Sequence, residues 1–307
     1  MEKIRKRLAM FLLQKLEDIV LQKNDTKMYI ADFLLKERKN IKNFSMQQVA
    51  DITYTSKPTL VRFAKSLNYK GWKDFIVDFI QEVYQDEKIN QNINPNFPFT
   101  EDDSIETIIE NLKELQIGSI KDTAANIQST QLEYAKNYLL SARHIIIFGM
   151  SPNSILGELF KRKMESIGIL IMIATLDEGG TLARALSKED CAIIVSYSGN
   201  NELREPMRYI PELKSNGVKL IGITSGGDNY ISQMVDCVLQ VSSRERLYSK
   251  ISGFTTEESI HFIFNLLFSV CFSENYLQNY QYKLKNSKTL EYRRRASLHD
   301  MREDSKE

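Results

Sequence analysis

Short β-branched runs separated by amphipathic stretches of helical length constrain the fold of this chain more than any other feature. Strands that alternate with helices in this way form βαβ units, whose crossovers make the strands parallel and cover both faces of the sheet. The pattern therefore predicts an α/β domain with a five-stranded parallel sheet flanked by helices, and we expect the flavodoxin-like strand order 2-1-3-4-5. The runs are His144–Phe148, Ile169–Ala174, Ala192–Val195, Val218–Ile223 and Cys237–Val241.

A polar, asparagine-rich stretch divides the chain ahead of this sheet. Residues 86–103 contain Pro95 and Pro98 and interrupt the helical spacing on either side, so we predict a linker there. The preceding residues repeat apolar side chains at helical spacing, which predicts an all-helical domain over residues 1–85. One apolar stripe of that domain consists of Leu8, Phe11, Leu12, Leu16 and Ile19.

Helices are also predicted on both sides of the strands. Ser104 precedes one amphipathic stretch, a second runs from about residue 131 to 141, and a long one from about residue 255 to 278. We therefore assign residues 104–285 to one α/β domain with leading helices, and residues 286–307 to a charged tail.

The charge of the chain is unevenly distributed. Residues 1–90 contain 17 Lys and Arg against 12 Asp and Glu, whereas residues 91–307 contain 24 against 28. A basic excess of this size is compatible with a polyanionic partner but is also common in domains that have none.

Neither the cysteines nor the apolar runs indicate an exported or membrane protein. The three cysteines, Cys191, Cys237 and Cys271, lack the number and spacing of a disulfide framework or metal site. The apolar run from residue 8 to 13 ends before it reaches signal-peptide length, and the run from residue 261 to 272 is too short to span a bilayer. We expect a cytoplasmic protein with no cofactor or metal.

Two adjacent capping signals predict a pair of short helices in the N-terminal domain. Ser45 and Gln48 fit a capping box, and Ser56 precedes an early proline, Pro58. A short turn joins the two helices, as in a helix-turn-helix, and the second helix would carry polar and basic side chains on its outer face. A helical hairpin with solvated charges fits the same spacing. The candidate DNA-binding residues are Ser45, Thr55, Ser56, Lys57, Thr59, Arg62 and Lys65.

The stretch from Ser56 to Phe75, which reads SKPTLVRFAKSLNYKGWKDF, closely resembles the RpiR/MurR family of bacterial transcription regulators. The resemblance implies that this stretch contains the recognition helix, that the partner is double-stranded operator DNA, and that the domain lies at the N-terminus. Tyr54 stands where the family's turn usually carries glycine, and a bulky residue held at positive φ would be strained.

Two loops that follow strands have the composition of a phosphate site. Gly149–Ser154 follows the first strand and Ser196–Asn201 the third, and each precedes a predicted helix. Small residues let a ligand approach the backbone, hydroxyls donate hydrogen bonds, and helix N-termini favour anions. Such loops are also common as ordinary turns. If the strand order is 2-1-3-4-5, the two loops lie side by side at the switch point.

The sequence from Ser196 to Asn201 resembles the Ser-x-Ser-Gly-x-Thr signature of SIS (sugar isomerase) domains, with Asn201 in place of threonine. The resemblance covers about residues 135–275 and implies that a phosphorylated sugar binds there. The departure at Asn201 bears on the identity of the sugar. The candidate ligand residues are Ser151, Ser154, Ser196, Tyr197, Ser198, Asn201, Ser225 and Glu245.

An isomerase or lyase is the main alternative, because SIS domains also occur in such enzymes. Isomerisation needs a carboxylate base and usually a histidine acid. His144 starts the first strand, His261 lies in an apolar helix and His299 in the tail, which leaves Glu245 and Glu258 as candidate bases. We therefore predict a regulator without catalytic residues, and a homodimer or tetramer that places two recognition helices on adjacent major grooves.

Overall fold

A computed structural model describes residues 12–21, 26–89, 93–242, 244–292 and 294–298. Leu8, Phe11 and His299, on which predictions were made, lie outside these residues. Among the described residues, no single helix is long and apolar enough to cross a membrane.

The N-terminal part is helical, as predicted, and we call it the helical head. Its apolar faces meet in one core, in which the Phe63 and Phe75 rings pack edge to face at 5.7 Å and Phe75 stacks on Phe79 at 6.0 Å. Leu12 and Leu16 of the predicted stripe are buried in this core. The helices are α1 (Leu12–Leu21), α2 (Thr26–Lys36), α3 (Met46–Ile52), α4 (Lys57–Ser66) and α5 (Trp72–Ile89), with a 3-10 turn at Ile41–Asn43.

Helix α5 extends into the stretch predicted as a linker. It ends at Ile89, beyond the expected limit at residue 85. The reason is local, because residues 85–88 are Gln-Asp-Glu-Lys and contain no helix breaker, and the first proline of the stretch is Pro95.

The C-terminal part contains the predicted five-stranded parallel sheet in the order β2-β1-β3-β4-β5. This is the expected 2-1-3-4-5 arrangement, and it puts β1 and β3 next to each other at the centre. The strands are β1 (Ile145–Gly149), β2 (Ile171–Ile173), β3 (Cys191–Val195), β4 (Lys219–Ser225) and β5 (Cys237–Val241).

Helices cover both faces of this sheet because its strands are apolar on both sides. Three helices that include Phe160 and Phe264 cover one face, and three shorter ones that include Ile210 and Ile231 cover the other. On the first face lie α7 (Ser129–Ser141), α8 (Asn153–Glu165) and α12 (Phe254–Glu274), with α6 (Ile105–Asn126) packed on α12; on the second lie α9 (Gly179–Ala185), α10 (Ile210–Ser215) and α11 (Tyr230–Met234).

The long C-terminal helix is shorter than predicted. It ends at Glu274, because Asn275 leaves the helical conformation, and a further helix, α13 (Tyr276–Leu290), follows at an angle of 107°. Residues 286–290 of the predicted charged tail are therefore helical.

Part of the predicted linker is docked on the α/β domain. Asn111 Nδ2 donates to the Pro98 carbonyl at 2.7 Å, and the Phe99 and Phe254 rings lie 6.3 Å apart. Asn96 is buried. The polar composition that indicated a linker here reflects a segment whose side chains satisfy backbone groups of the neighbouring domain.

Asp190 is a buried carboxylate at the amino edge of the sheet. Its oxygens accept from Ser187 N at 2.8 Å and Arg143 Nη2 at 3.1 Å, and lie 2.9 Å from His144 Nδ1. Burial by itself would raise the pKa of this carboxyl, but these hydrogen bonds hold it at about 2. Because the folded pKa lies below the unfolded value of about 3.9, the charge stabilises the fold above about pH 4, and this contribution is lost as the pH falls towards 2.

We expect Asp190→Asn to lower the free energy of unfolding at pH 7 by about 2 kcal/mol, since it removes charge-assisted hydrogen bonds to a buried group. Urea unfolding at pH 7 and thermal unfolding at pH 2–7 measure the effect. The melting temperature of the variant should fall less steeply below pH 4 than that of the wild type. Glu189→Gln, on the neighbouring exposed side chain, is the control; equal acid sensitivity of wild type and Asp190→Asn would contradict this account.

Candidate functional site

The caps predicted for the helix pair are present. Ser45 Oγ accepts from Gln48 N at 3.3 Å, and Gln48 Oε1 accepts from Ser45 N at 2.8 Å, which forms a capping box at the start of α3. Ser56 Oγ accepts from Thr59 N at 3.4 Å and caps α4, with Pro58 in its first turn. The two short helices are therefore fixed at their N-termini by their own side chains.

Helix α4 separates its apolar and basic side chains. Leu60, Phe63 and Ala64 are fully buried in the core of the helical head, whereas Lys57, Arg62 and Lys65 are exposed. Thr59 is half-buried and accepts from Arg62 Nη2 at 3.2 Å, which orients the guanidinium on the outer face. This face presents the hydrogen-bonding and cationic groups that a recognition helix needs.

Tyr54 occupies the turn between α3 and α4 with φ at +51°, a conformation in which a bulky residue is strained. Its side chain is 95% exposed. The turn is held by its neighbours, because Thr55 N donates to Ala50 O at 2.8 Å and the Thr53 and Thr55 hydroxyls are 3.0 Å apart. These bonds keep a bulky residue in a conformation that favours glycine.

The two candidate phosphate loops lie side by side. Gly149, the last residue of β1, is paired with Val195, the last residue of β3. Asn153 follows Gly149 in the first turn of α8, and its Nδ2 lies 3.5 Å from Val195 O. Asn153 lies within the loop predicted after β1 but was not among the predicted ligand residues, because only the adjacency of the strands gives it a position between the loops.

Backbone contacts hold the loop after β3 in a tight turn. Ser196 Oγ accepts from Gly199 N at 3.3 Å, and Tyr197 O accepts from Ser225 N at 3.0 Å. Gly199 has φ at +60°, and a Cβ built there would lie 2.5 Å from Thr224 Oγ1 and 2.6 Å from Asn229 Oδ1. Asn229 is buried and was not selected from the sequence, because its contact depends on how β4 and α11 pack behind the loop.

The remaining predicted serines and Asn201 lie at the same edge of the sheet. Ser151 is exposed after β1, Ser154 is half-buried in the first turn of α8, and Ser198 is half-buried after β3. Asn201 is exposed, and its Oδ1 accepts from Leu203 N at 3.3 Å. The edge therefore combines hydroxyls, an amide and a helix N-terminus, which suits an anion.

Glu245, a candidate ligand residue, is buried against the start of α12. It is 4% exposed, and its carboxylate accepts from Thr255 N at 2.6 Å, from the hydroxyls of Thr255 and Thr256, and from Lys250 Nζ at 3.0 Å. It caps the start of α12 and is occupied by these donors. Its link to the loops is indirect, because Tyr197 donates its hydroxyl to Glu245 O at 2.9 Å.

A small, open cleft adjoins the loop after β1 on its β2 side. Tyr209 and Glu205 line it opposite Met150 and residues 174–176. Hydrogen bonds from its own backbone N–H and from Arg208 hold the pKa of Glu205 below its usual range, so it is a carboxylate at neutral pH. No sequence motif marks Glu205 or Tyr209, which reach the cleft through the fold of the segment before α10.

The histidines and cysteines lie away from the loops or are chemically inert. His144 contacts Asp190 at the opposite edge of the sheet, and His261 is half-buried on α12. Burial raises the pKa of the thiols of Cys237 and Cys271 to about 12 and also raises that of Cys191, so none is a ready nucleophile at neutral pH.

Two family models match the chain. One, described as a helix-turn-helix domain of the rpiR family, matches residues 10–86, and the other, described as the SIS domain, matches residues 138–264. The first covers α1 to α4 and α5 as far as residue 86, and the second covers all five strands.

Two curated relatives and one solved structure agree with these models. An uncharacterised HTH-type transcriptional regulator of Clostridium perfringens is 21% identical over 281 residues, which are 92% of this chain and 99% of that protein. Another from Haemophilus influenzae is 26% identical over 216 residues, 68% of this chain and 72% of that protein. The structure of the Vibrio vulnificus NanR protein complexed with ManNAc-6P has the same fold, with a TM-score of 0.55 and 18% identity over 91% of this chain and 98% of that one.

We expect Gly199→Ala to lower the free energy of unfolding by more than about 1 kcal/mol, because alanine is strained at positive φ and its Cβ would meet Thr224 and Asn229. Gly180→Ala is the matched control, since a Cβ there is 3.8 Å from its nearest neighbour and lies in a helix, where alanine is favoured. Chemical unfolding of both variants checks the prediction, and equal stability of the two would refute it.

Proposed function

The chain belongs to the rpiR family of helix-turn-helix transcriptional regulators, and from this premise we propose that a phosphorylated sugar, bound in its SIS domain, changes its affinity for operator DNA. The observation that carries the proposal is the pairing of Gly149 with Val195, which brings two hydroxyl-rich loops together at the switch point of the sheet. The same chain carries a helix with an exposed basic face in its head.

Helix α4 is the proposed recognition helix. Its exposed Lys57, Arg62 and Lys65 supply charge for phosphates and hydrogen bonds for base edges. Ser45, Thr55, Ser56 and Thr59 lie at the N-termini of α3 and α4 or in the turn between them, where helix-turn-helix proteins contact the DNA backbone. We propose a homodimer or a tetramer, since two such helices on adjacent major grooves need a two-fold axis.

The effector site is proposed at the loops after β1 and β3. Ser151, Ser154 and Ser198 would donate to the phosphate, with Ser196 and Tyr197 shaping the loop and Asn201 and Ser225 nearer the sugar. The ManNAc-6P complex of the Vibrio protein, which shares this fold, supports a phosphosugar as the ligand class. Glu245 would act through Tyr197, because helix donors already occupy its carboxylate.

A regulator without catalysis is proposed over an isomerase or lyase. Glu245, one of the two candidate bases, is buried and held by four donor groups, and Glu258 accepts from Gln116 Nε2 at 3.3 Å. We further propose a cytoplasmic location, the domain limits 1–85 and 104–285, and no cofactor. Incubation with each bound phosphosugar, followed by product analysis, tests for turnover; turnover abolished by Glu258→Gln would establish the enzyme instead.

We expect Arg62→Ala to weaken operator binding at least tenfold, corresponding to about 1–3 kcal/mol, and to relax sequence preference at the bases it contacts. Binding is measured by fluorescence anisotropy on a duplex that the wild type selects from a random library, and on a scrambled duplex. Lys121→Ala removes the same charge from an exposed site on the α/β domain and should leave affinity within twofold. Equal wild-type affinity for both duplexes would end the proposal.

We expect Ser198→Ala to weaken phosphosugar binding by at least about tenfold, because it removes a hydrogen bond to a charged group. Calorimetry with ManNAc-6P, glucosamine 6-phosphate, glucose 6-phosphate and ribose 5-phosphate measures the loss. Ser215→Ala, an exposed serine at the end of α10, should bind as the wild type does. The site is wrong if Ser198→Ala keeps full affinity for a phosphosugar that binds the wild type.

A further inference from the structure

Asn96 joins the segment that follows the helical head to a loop of the α/β domain. The side chain is 7% exposed, although it lies in a stretch whose composition predicts a solvated linker. Its Oδ1 accepts from Arg246 N at 2.6 Å, and its carbonyl accepts from Ile251 N at 2.9 Å. Asn96 therefore satisfies two backbone donors of the segment 244–251, which we call the clasp loop.

The clasp loop also contacts the proposed effector site. Tyr197 donates its hydroxyl to the carbonyl of Glu245, the residue next to Arg246. Lys250 lies over the Tyr197 ring, with Nζ 5.7 Å from the ring centroid, and pairs with the Glu245 carboxylate at 3.0 Å. The clasp loop thus contacts Asn96 through the backbone N–H groups of Arg246 and Ile251. It contacts Tyr197 through the Glu245 carbonyl and the Lys250 side chain.

Tyr197 stands between the two serines of the SIS signature, Ser196 and Ser198. Its carbonyl accepts from Ser225 N and from Thr224 Oγ1, so its backbone is fixed to the end of β4. An anion held by the neighbouring hydroxyls would change the conformation or the rigidity of this loop, and the phenol would carry that change to Glu245. The connection from the loop to the linker segment therefore consists of two hydrogen bonds, at Glu245 O and Arg246 N, joined by the peptide bond between these two residues.

We propose that Asn96 is a positioning residue that transmits phosphosugar binding to the DNA-reading head through Tyr197 and the clasp loop. The proposal rests on the proposed function and concerns its regulation. Helix α5, the last helix of the head, ends at Ile89, shortly before Asn96, so a change at Asn96 acts on the chain that leads directly to the head. A docking contact with no such role would affect stability but not the response to the sugar.

The test measures how much phosphosugar changes operator affinity in the full-length protein. The ratio of operator Kd with and without the panel's tightest-binding phosphosugar is determined for wild type and Asn96→Ala. We expect a wild-type ratio of about tenfold in either direction, within the usual range of allosteric coupling. Asn96→Ala should reduce it to less than twofold while phosphosugar affinity, measured by calorimetry, stays within threefold of wild type.

Two further variants separate this route from general docking of the linker. Tyr197→Phe removes only the hydroxyl that reaches Glu245 O and should also reduce the ratio. Asn111→Ala removes the bond to Pro98 O, which docks the same segment without touching the clasp loop, and should keep the wild-type ratio.

The outcomes distinguish the two proposals. If Asn96→Ala and Tyr197→Phe both keep the wild-type ratio of operator Kd with and without phosphosugar, the coupling role is overturned. The proposed function is then left intact. Loss of the ratio in Asn111→Ala as well would also overturn it, since linker docking alone would then explain the result. If no phosphosugar changes wild-type operator affinity, the proposed function fails and the coupling role fails with it.

Discussion

The parallel pairing of β1 with β3 is the constraint on which the C-terminal half of the molecule depends. The crossover through α8, β2 and α9 returns the chain to the other side of β1, so β3 pairs with β1 and Gly149 lies opposite Val195. Apolar residues on both faces of these central strands require helices above and below. The hydroxyl-rich loops emerge next to one another at the carboxyl ends of these two strands.

The rest of the site is held from behind by buried polar groups. Asn229 and Thr224 pack against Gly199 and leave no room for a side chain there, while Glu245 fixes the start of α12 and, through its carbonyl, Tyr197. Each buried group has hydrogen-bond partners, as low-dielectric surroundings require. These contacts fix the backbone of the loop after β3. The loop is connected to the linker segment through Tyr197, the Glu245–Arg246 peptide unit and Asn96, which is the route proposed above for regulation.

The helical head shows how local signals can be sufficient. The caps at Ser45 and Ser56 and the proline in the first turn of α4 were all predicted, because each depends on residues within a few positions along the chain. The end of α5 and the break at Asn275 were not predicted, since neither residues 85–88 nor residues 270–280 contain a glycine or proline that would mark a stop.

The sequence by itself determined the fold class, the capped helix pair of the head and the two hydroxyl-rich loops, because these follow from periodicity, capping and loop composition. The strand order 2-1-3-4-5 was assumed from its commonness, and the structure confirms it. Tertiary structure alone decided that Asn153 lies between the loops, that Glu245 caps a helix and is not open to a ligand, and that Asn96 is buried against the clasp loop. Those positions depend on contacts between residues far apart in the chain, and the spacing of residues in a single sequence does not record which side chains will meet.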